Sequence, residues 1–233
     1  MILKKKNLNI ATILPYKENY TFDKASAASL WVSEFFKKSK YKKNNIIYGH
    51  TKSKDYLTIN YKNINLINLT SKLKSTTNEY ANKLTKELRN NYFDIIEIHN
   101  RPQLLFKLIK KIDSKFIFYF HNDPLSMKGS KSINQRLEII NKVEKIIFVS
   151  EWVQKRFFID LDDKLKTKTE IVYPSVNLTK KIKKKQKNII FVGKLNESKG
   201  YDLFYDSIIK ILNEFKDWKA FSIGDEDRRK IYI

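Results

Sequence analysis

The sequence has 233 residues, of which 42% are hydrophobic and 13% aromatic, and this composition can build a sizeable globular core. The absence of cysteine excludes disulfide bonds and thiolate metal sites, and the three scattered histidines, His50, His99 and His121, do not form a pattern of metal ligands. The net charge of +22 comes mostly from lysines spread along the whole chain, with only six arginines, which favours attraction to an anionic membrane surface over binding of nucleic acid.

Strand-like and helix-like segments alternate in chain order over the first 174 residues. The predicted strands are Asn9–Pro15, Ile46–Gly49, Ile64–Leu69, Ile95–His99, Lys115–Phe120, Lys145–Val149 and Glu170–Tyr173. The predicted helices are Ala25–Lys38, Ser71–Asn90, Pro102–Ile112, Ile133–Lys142 and Glu151–Phe158. This alternation of apolar strands with helices predicts an α/β fold with a doubly wound, Rossmann-like parallel sheet. No segment approaches the about 18–20 apolar residues of a membrane span, so we expect a cytoplasmic protein, attached at most peripherally to the inner face of the cell membrane.

A polar, lysine-rich segment at residues 175–187 interrupts this alternation and is typical of a linker. The pattern restarts with a strand at Asn188–Gly193, a helix at Gly200–Phe215 and a strand at Lys219–Ile223. The sequence therefore predicts a first domain over residues 1–174 and the β–α–β beginning of a second, incomplete domain over residues 188–233. We expect the second part to leave an unpaired sheet edge and an exposed apolar helix face.

Two predicted strands of the first domain end in the dipeptide His-Asn. Ligands of an open parallel sheet bind at the carboxyl ends of its strands, so these ends are candidate sites. His121 follows a nearly all-apolar strand, where a histidine gains little from packing, and we interpret it as a functional donor or acceptor. For His99 two interpretations remain open, a functional residue or a turn histidine that bonds to the backbone.

The loops after these strands carry three more candidates, Asn100, Arg101 and Asp123. Arg101 could bind a phosphate or carboxylate, or form a surface ion pair. Asp123 could cap its own loop or accept a hydrogen bond from a substrate hydroxyl. Ser150 fits a helix N-cap better than a nucleophile, because the motif GxSxG is absent.

The stretch FVGKLNESKG joins a predicted strand to a predicted helix and has the properties of an anion-binding turn. Gly193 allows close approach of a ligand to the backbone, and Lys194 and Lys199 flank a short loop. A helix that begins near Gly200 would point its free amides at the same anion. The alternative is two solvated lysines in a lysine-rich protein.

Seven segments, taken in order, resemble the GT-B glycosyltransferases of family 4. They are LPYKENYTFDKASAASLWVSEF, IEIHNRP, FYFHNDP, IIFVSEWVQKRF, VYPSVNL, IIFVGKLNESKGYDLFYDSI and FSIGDE. The resemblance implies a hexosyltransferase-like enzyme that transfers a sugar from a nucleotide-sugar to a saccharide or lipid-linked acceptor, in synthesis of cell-envelope polysaccharide or lipopolysaccharide. It also implies retention of the anomeric configuration and no metal or other cofactor.

The resemblance also implies roles for residues. Gly193, Lys194 and Lys199 would bind the donor diphosphate, and the turn with Ser26 and Ala27 would face the donor phosphates. His121 would lie near the transferred sugar. The acceptor side would hold His99, Asn100, Arg101 and Asp123.

Three departures from the family pattern change these expectations. Residues Ser26, Ala27 and Ala28 stand where the family commonly has glycine, and Pro174-Ser175 replaces its Asn-Gly. The sequence ends at Ile233, before the two glutamates, separated by seven residues, that hold the donor sugar and ribose in the family. We therefore expect a C-terminally truncated member whose activity alone is in doubt. The alternatives are a non-catalytic acceptor-binding module, a subunit completed by a partner chain, and a basic nucleic-acid binder.

Overall fold

The structure, a computed structural model, describes residues 7–66, 75–176 and 184–224. The chain divides into two compact units, Met1–Val176 and Asn177–Ile233, and each is described by itself. The residues predicted as a linker lie at this division, and most of them fall outside the described residues.

The first unit is built on a seven-stranded sheet with the order β3-β2-β1-β4-β5-β6-β7, in which every neighbouring pair is parallel. The strands are β1 Ile10–Ile13, β2 Asn45–Gly49, β3 Tyr61–Asn63, β4 Ile95–His99, β5 Lys115–Phe120, β6 Lys145–Phe148 and β7 Thr169–Ile171. The strand order reverses between β1 and β4, so the loops after these two strands diverge and open a crevice at their carboxyl ends.

Within the described residues, five α-helices connect the strands of this sheet: α1 Ala27–Lys38, α2 Thr76–Arg89, α3 Pro102–Ile109, α4 Ile133–Lys142 and α5 Glu151–Phe157. Local sequence explains several of their ends. Ser132 and Gln135 form a reciprocal capping box at the start of α4. Ser150 caps α5 by accepting a hydrogen bond from the Val153 amide, as predicted.

Apolar side chains cover both faces of the sheet, as a doubly wound fold requires. Ile47 and Tyr48 are consecutive in β2 and therefore point to opposite faces. Tyr48 belongs to the larger core cluster, which contains the buried faces of α2, α3, α4 and α5. Ile47 belongs to the smaller cluster, which includes Val32 and Phe36 of α1. The α/β class with a doubly wound parallel sheet is confirmed.

The third strand corrects the sequence prediction. Its observed residues are Tyr61–Asn63, not Ile64–Leu69. Ile64 lies just past the strand and is buried, and residues 67–69 fall outside the described residues. Among the described residues this edge strand pairs only with β2, over three residues, so pairing fixes its position more strongly than its own apolar pattern does.

The second unit contains the parallel strands β8 Asn188–Val192 and β9 Lys219–Ile223, joined through α6 Tyr201–Glu214. Phe191 packs against Tyr201 and Phe204 of the helix, with ring centres 5.2 and 5.3 Å apart. The opposite sheet face is exposed and apolar; it carries Ile190, Val192, Phe221 and Ile223. Leu203, Tyr205 and Ile209 of α6 are exposed as well, in agreement with the expected exposure of apolar helix surface.

Candidate active site

Two histidines meet at the carboxyl edge of the first sheet. His99 is the last residue of β4, and His121 directly follows β5, the neighbouring strand. Nδ1 of His99 lies 2.8 Å from Nε2 of His121, within hydrogen-bond distance. His99 is 1% exposed, whereas His121 is only half-buried. The structure therefore brings together two predicted site residues, of which His121 is the one that reaches the surface.

Asn100 fixes the backbone of this pair. Its φ of 53° is in the left-handed region, which asparagine tolerates better than most residues. In this conformation its amide donates to the Tyr119 carbonyl at 2.9 Å, and its side-chain oxygen accepts from the His121 amide at 2.7 Å. Asn100 thus joins the ends of the two strands, and its side chain is engaged in holding His121.

Aromatic rings enclose the histidines. Tyr119, the register partner of His99 in β5, stacks on it with ring centres 4.4 Å apart. Trp31 of α1 presents edge contacts to His99, Tyr119 and His121, at 5.7, 5.5 and 5.2 Å. Sequence reasoning placed Trp31 on the apolar face of α1, and nothing in the helical spacing shows that it faces histidines.

A buried polar chain continues along the same face from the aromatic rings. The Tyr119 hydroxyl donates to Glu97 at 3.0 Å, and the Thr12 hydroxyl donates to the other carboxylate oxygen of Glu97 at 2.7 Å. Burial raises the pKa of Glu97 in spite of these two bonds. It also raises the pKa of Tyr119, and the charge of Glu97 adds to that effect. Sequence reasoning did not identify Glu97, Thr12 or Tyr119 as part of the site.

Both histidines are uncharged at neutral pH. Burial lowers the pKa of His121 to about 4. Burial, and secondarily the neighbouring His121, lowers the pKa of His99 well below its usual value. Imidazolium would lose its hydration in this apolar surrounding without gaining a carboxylate contact, so the neutral rings are favoured.

Arg101 lies at the crevice between the loops after β1 and β4. Its guanidinium stands over the Tyr16 ring, 5.1 Å from the centre. The Nε atom of Arg101 is buried and finds no hydrogen-bond partner among the described residues. No ion pair of Arg101 is observed among the described residues. The nearby carboxylates bond elsewhere, Glu97 to Thr12 and Tyr119, and Asp123 to Arg156.

Asp123 is engaged within the protein. Its carboxylate accepts two hydrogen bonds from Arg156 of α5, at 3.2 and 3.0 Å, and one from the Leu125 amide at 3.0 Å. The Arg156 hydrogen bonds hold the pKa of Asp123 below its usual value. These contacts support the loop-capping interpretation, and the acceptor-side role stays a prediction.

Ser26 and Ala27 form the start of α1. The Ser26 hydroxyl accepts from the Ser29 amide at 3.2 Å and donates to the Ser29 hydroxyl at 3.1 Å, so it serves as the N-cap. Ala27 is the first helical residue. A phosphate contact by this turn would use backbone amides, and it stays a prediction.

In the second unit, the turn after β8 keeps the features that suggested an anion site. Gly200 has a φ of 72°, which explains a glycine there. A Cβ on Gly193 would meet only ordinary contacts, with Phe191 at 3.5 Å, so packing does not require this glycine. Lys194 and Lys199 are exposed, and within the described ranges neither forms an ion pair.

Gly224 was not among the predicted site residues. A Cβ at this position would lie 1.7 Å from the Gly193 carbonyl oxygen. The Gly193 amide in turn donates to the Ile223 carbonyl at 3.0 Å. Two glycine backbones therefore touch at the carboxyl edge of β8 and β9, which a single sequence cannot reveal.

Across the described ranges, no group of three or more His, Cys, Asp or Glu side chains is placed to hold a metal ion. None of the helices in that same part of the chain has the length and hydropathy needed to cross a membrane.

Comparisons with known proteins agree with the fold and give a sequence relationship. No family model matches the chain. It is 31% identical over 182 residues to YtcC of Bacillus subtilis (strain 168), whose name assigns it provisionally to the glycosyltransferases. This match covers 66% of the chain and 44% of YtcC. An uncharacterized 41.2 kDa protein in the cps region of Klebsiella pneumoniae is 27% identical over 157 residues, which cover 57% of the chain and 43% of that protein.

Solved structures share the fold at low identity. A glycosyltransferase from Rickettsia africae ESF-5 superposes with a TM-score of 0.57 at 12% identity, over 94% of the chain and 69% of that structure. A UDP-N-acetylglucosamine 2-epimerase superposes with a TM-score of 0.54 at 10% identity, over 92% of the chain and 63% of that structure. Anabaena HepE, solved with UDP-glucose, superposes with a TM-score of 0.50 at 10% identity, over 93% of the chain and 69% of that structure. These likenesses confirm the GT-B fold class, and the chain spans less than half the length of the curated relatives it matches.

Proposed function

We propose that the chain is part of a glycosyltransferase that uses a nucleotide-sugar donor. The observation that carries this proposal is the uncharged, half-buried His121 at the carboxyl edge of the first sheet. The sequence similarity to YtcC and the shared fold support it. The acceptor would be a saccharide or a lipid-linked saccharide, and the cps-region relative supports a role in cell-envelope polysaccharide.

The chemistry requires charge control more than covalent catalysis. A departing nucleoside diphosphate gains negative charge, and preorganised cations lower the free energy of that transition state. Lys194 and Lys199 would supply these cations, together with the amides at the start of α6. His121 would contact the transferred sugar as a neutral hydrogen-bonding group.

Retention of configuration without a covalent sugar–enzyme intermediate is part of the proposal. A double displacement uses a nucleophilic carboxylate paired with an acid. The two carboxylates nearest the histidine pair along the chain, Glu97 and Asp123, are both held by hydrogen bonds within the first unit. This engagement supports a route in which leaving group and acceptor react on one face of the sugar.

Binding of the donor tests the role of the second unit. UDP-, GDP- and ADP-sugars are titrated into the whole chain by calorimetry, and Lys199→Ala is compared with Lys210→Ala, an exposed lysine of α6. We expect Lys199→Ala to weaken donor binding about tenfold or more, as for the loss of a charge-assisted hydrogen bond, and Lys210→Ala to bind as the wild type does. Equal affinities for both variants would contradict the diphosphate assignment.

Transfer itself tests the role of His121. Nucleoside diphosphate release is measured with lipid-linked and soluble saccharide acceptors, for the wild type, His121→Ala and the control His50→Ala. We expect His121→Ala to abolish release while its circular dichroism stays native. Donor binding without any release by the wild type would favour the non-catalytic module, and an active His121→Ala would remove this residue from the site.

A further inference from the structure

The two histidines share one hydrogen bond, and this bond has a direction. With both rings neutral, the 2.8 Å contact between His99 Nδ1 and His121 Nε2 requires one proton between the two atoms. Either His99 donates, and the proton of His121 is on its outward Nδ1, or His121 donates, and its Nδ1 is an acceptor. The two arrangements give His121 opposite roles toward a ligand.

We propose that His99 is a positioning residue that donates to His121 Nε2 and thereby holds His121 as the tautomer with its proton on Nδ1. His121 then donates a hydrogen bond to a sugar hydroxyl oxygen of the donor and does not act as a base. This assignment of the ligand group rests on the function proposed above, whereas the tautomer itself does not.

Trp31 indicates which arrangement is favoured. Both His99 Nε2 and Trp31 Nε1 are buried, and neither has a partner in the described part of the chain. The two rings are neighbours, with centres 5.7 Å apart. Indole nitrogen can only donate. If His99 Nε2 is an acceptor, the buried indole donor has an acceptor on a neighbouring ring. If it carries a proton, two buried donors lie on neighbouring rings with no acceptor among the described residues, which is the less favourable arrangement.

The surroundings prevent His99 from turning to change this arrangement. Its ring lies flat on Tyr119, at an interplanar angle of 12°, and edge-on to Trp31. The backbone on its carboxyl side is fixed by the two hydrogen bonds of Asn100. A ring so enclosed keeps its Nδ1 directed at His121. Its effect on His121 is like that of the carbonyl or carboxylate that fixes the tautomer of a metal-binding histidine.

A consequence follows for the chemistry of His121. Its Nε2 accepts from His99 and its Nδ1 already carries a proton, so neither nitrogen has a lone pair for a substrate proton. A neutral donor matches the lone pair of a hydroxyl oxygen. His121 would therefore orient the sugar rather than remove a proton from the acceptor.

Nitrogen NMR of the whole chain, labelled with 15N-histidine, tests the tautomer without any ligand. Long-range 1H–15N correlations distinguish protonated from unprotonated ring nitrogens, and His121→Asn and His50→Asn assign the signals. We expect His121 to be protonated on Nδ1 alone and His99 to be protonated on Nδ1. A His121 with its proton on Nε2 would overturn the proposal.

Two substitutions at His99 separate positioning from packing. His99→Phe keeps a ring on Tyr119 but has no donor, so we expect His121 to become a mixture of tautomers. His99→Asn keeps a short N–H donor, so His121 should retain its Nδ1 tautomer. Where transfer is measurable, His99→Asn should keep most of the transfer rate, whereas His99→Phe should lower that rate about tenfold. Unchanged His121 signals in His99→Phe would refute the positioning role. If nucleotide-sugars do not bind at all, only the proposed function fails, and the spectra still decide the tautomer.

Discussion

Acid should destabilise the first unit through its two uncharged histidines. A histidine in an unfolded chain titrates near about 6.5, whereas in the folded protein the pKa of His121 is lowered to about 4 and that of His99 lies well below its usual value. Between these values the unfolded chain binds more protons than the folded one, so the free energy of unfolding falls as pH falls. The stabilisation that each neutral histidine gives the folded protein is complete above the pKa of the unfolded chain. It is lost progressively as the pH falls to the pKa of the folded protein.

The size of this loss follows from the two pKa values. From about pH 7.5 to about pH 5, His121 alone should lower the free energy of unfolding by about 2 kcal/mol. The lowered pKa of His99 changes the free energy of unfolding in the same direction. A loss of about 2 kcal/mol or more is a large part of the about 5–15 kcal/mol that stabilises an ordinary domain.

Two carboxylates of this unit also make the free energy of unfolding depend on pH, so the control variant must keep them. Glu97 has a raised pKa, so its folded form takes up a proton first and offsets part of the loss as pH falls. Asp123 has a lowered pKa, so its contribution is lost only below the ordinary pKa of an aspartate. The double variant His99→Phe/His121→Phe keeps both carboxylates and the aromatic packing, and removes only the two imidazoles.

Urea unfolding of both proteins at the two pH values, followed by circular dichroism, measures the difference. We expect the wild type to lose at least about 2 kcal/mol more than the double variant between about pH 7.5 and about pH 5. His50→Asn, which leaves the pair intact, should retain the acid sensitivity of the wild type. Equal losses in the wild type and the double variant would mean that the histidines are not held neutral, and the reasoning about the site would be refuted.

Three further substitutions test the framework around the site. Arg136 is 2% exposed and donates to the Phe157 carbonyl at the end of α5, at 2.9 Å, so Arg136→Met should cost about 2 kcal/mol in urea unfolding; the exposed Lys142→Met on the same helix should cost little. Gly224→Ala should lower the melting temperature of the second unit, because its Cβ overlaps the Gly193 carbonyl, whereas Gly193→Ala should melt as the wild type does. Asp123→Asn should be less stable than the wild type at neutral pH, and this difference should vanish in acid once Asp123 of the folded wild type is protonated.

The local sequence pattern was sufficient to predict the bounds of an element where the segment carries a strong apolar run between turn residues. The predicted bounds of β4, β5, α4 and β9 coincide with the observed ones. The predicted helix Pro102–Ile112 ends at Ile109 instead, which is within the usual uncertainty of helix ends. The weak strand β3 was misplaced, since an edge strand of three residues depends on its partner more than on its own residues.

The sequence by itself determined the α/β class, the order of most elements and the placement of His121 at a strand end, because these follow from the periodicity of apolar residues along the chain. Only the tertiary structure decided that His99 is buried and bonded to His121, that Trp31 faces both rings, and that Asp123 is held by Arg156. These contacts join residues that are far apart in sequence, through the pairing of β4 with β5 and the packing of helices on them. Charge state and hydrogen-bond direction depend on such neighbours, so they cannot be obtained from one sequence.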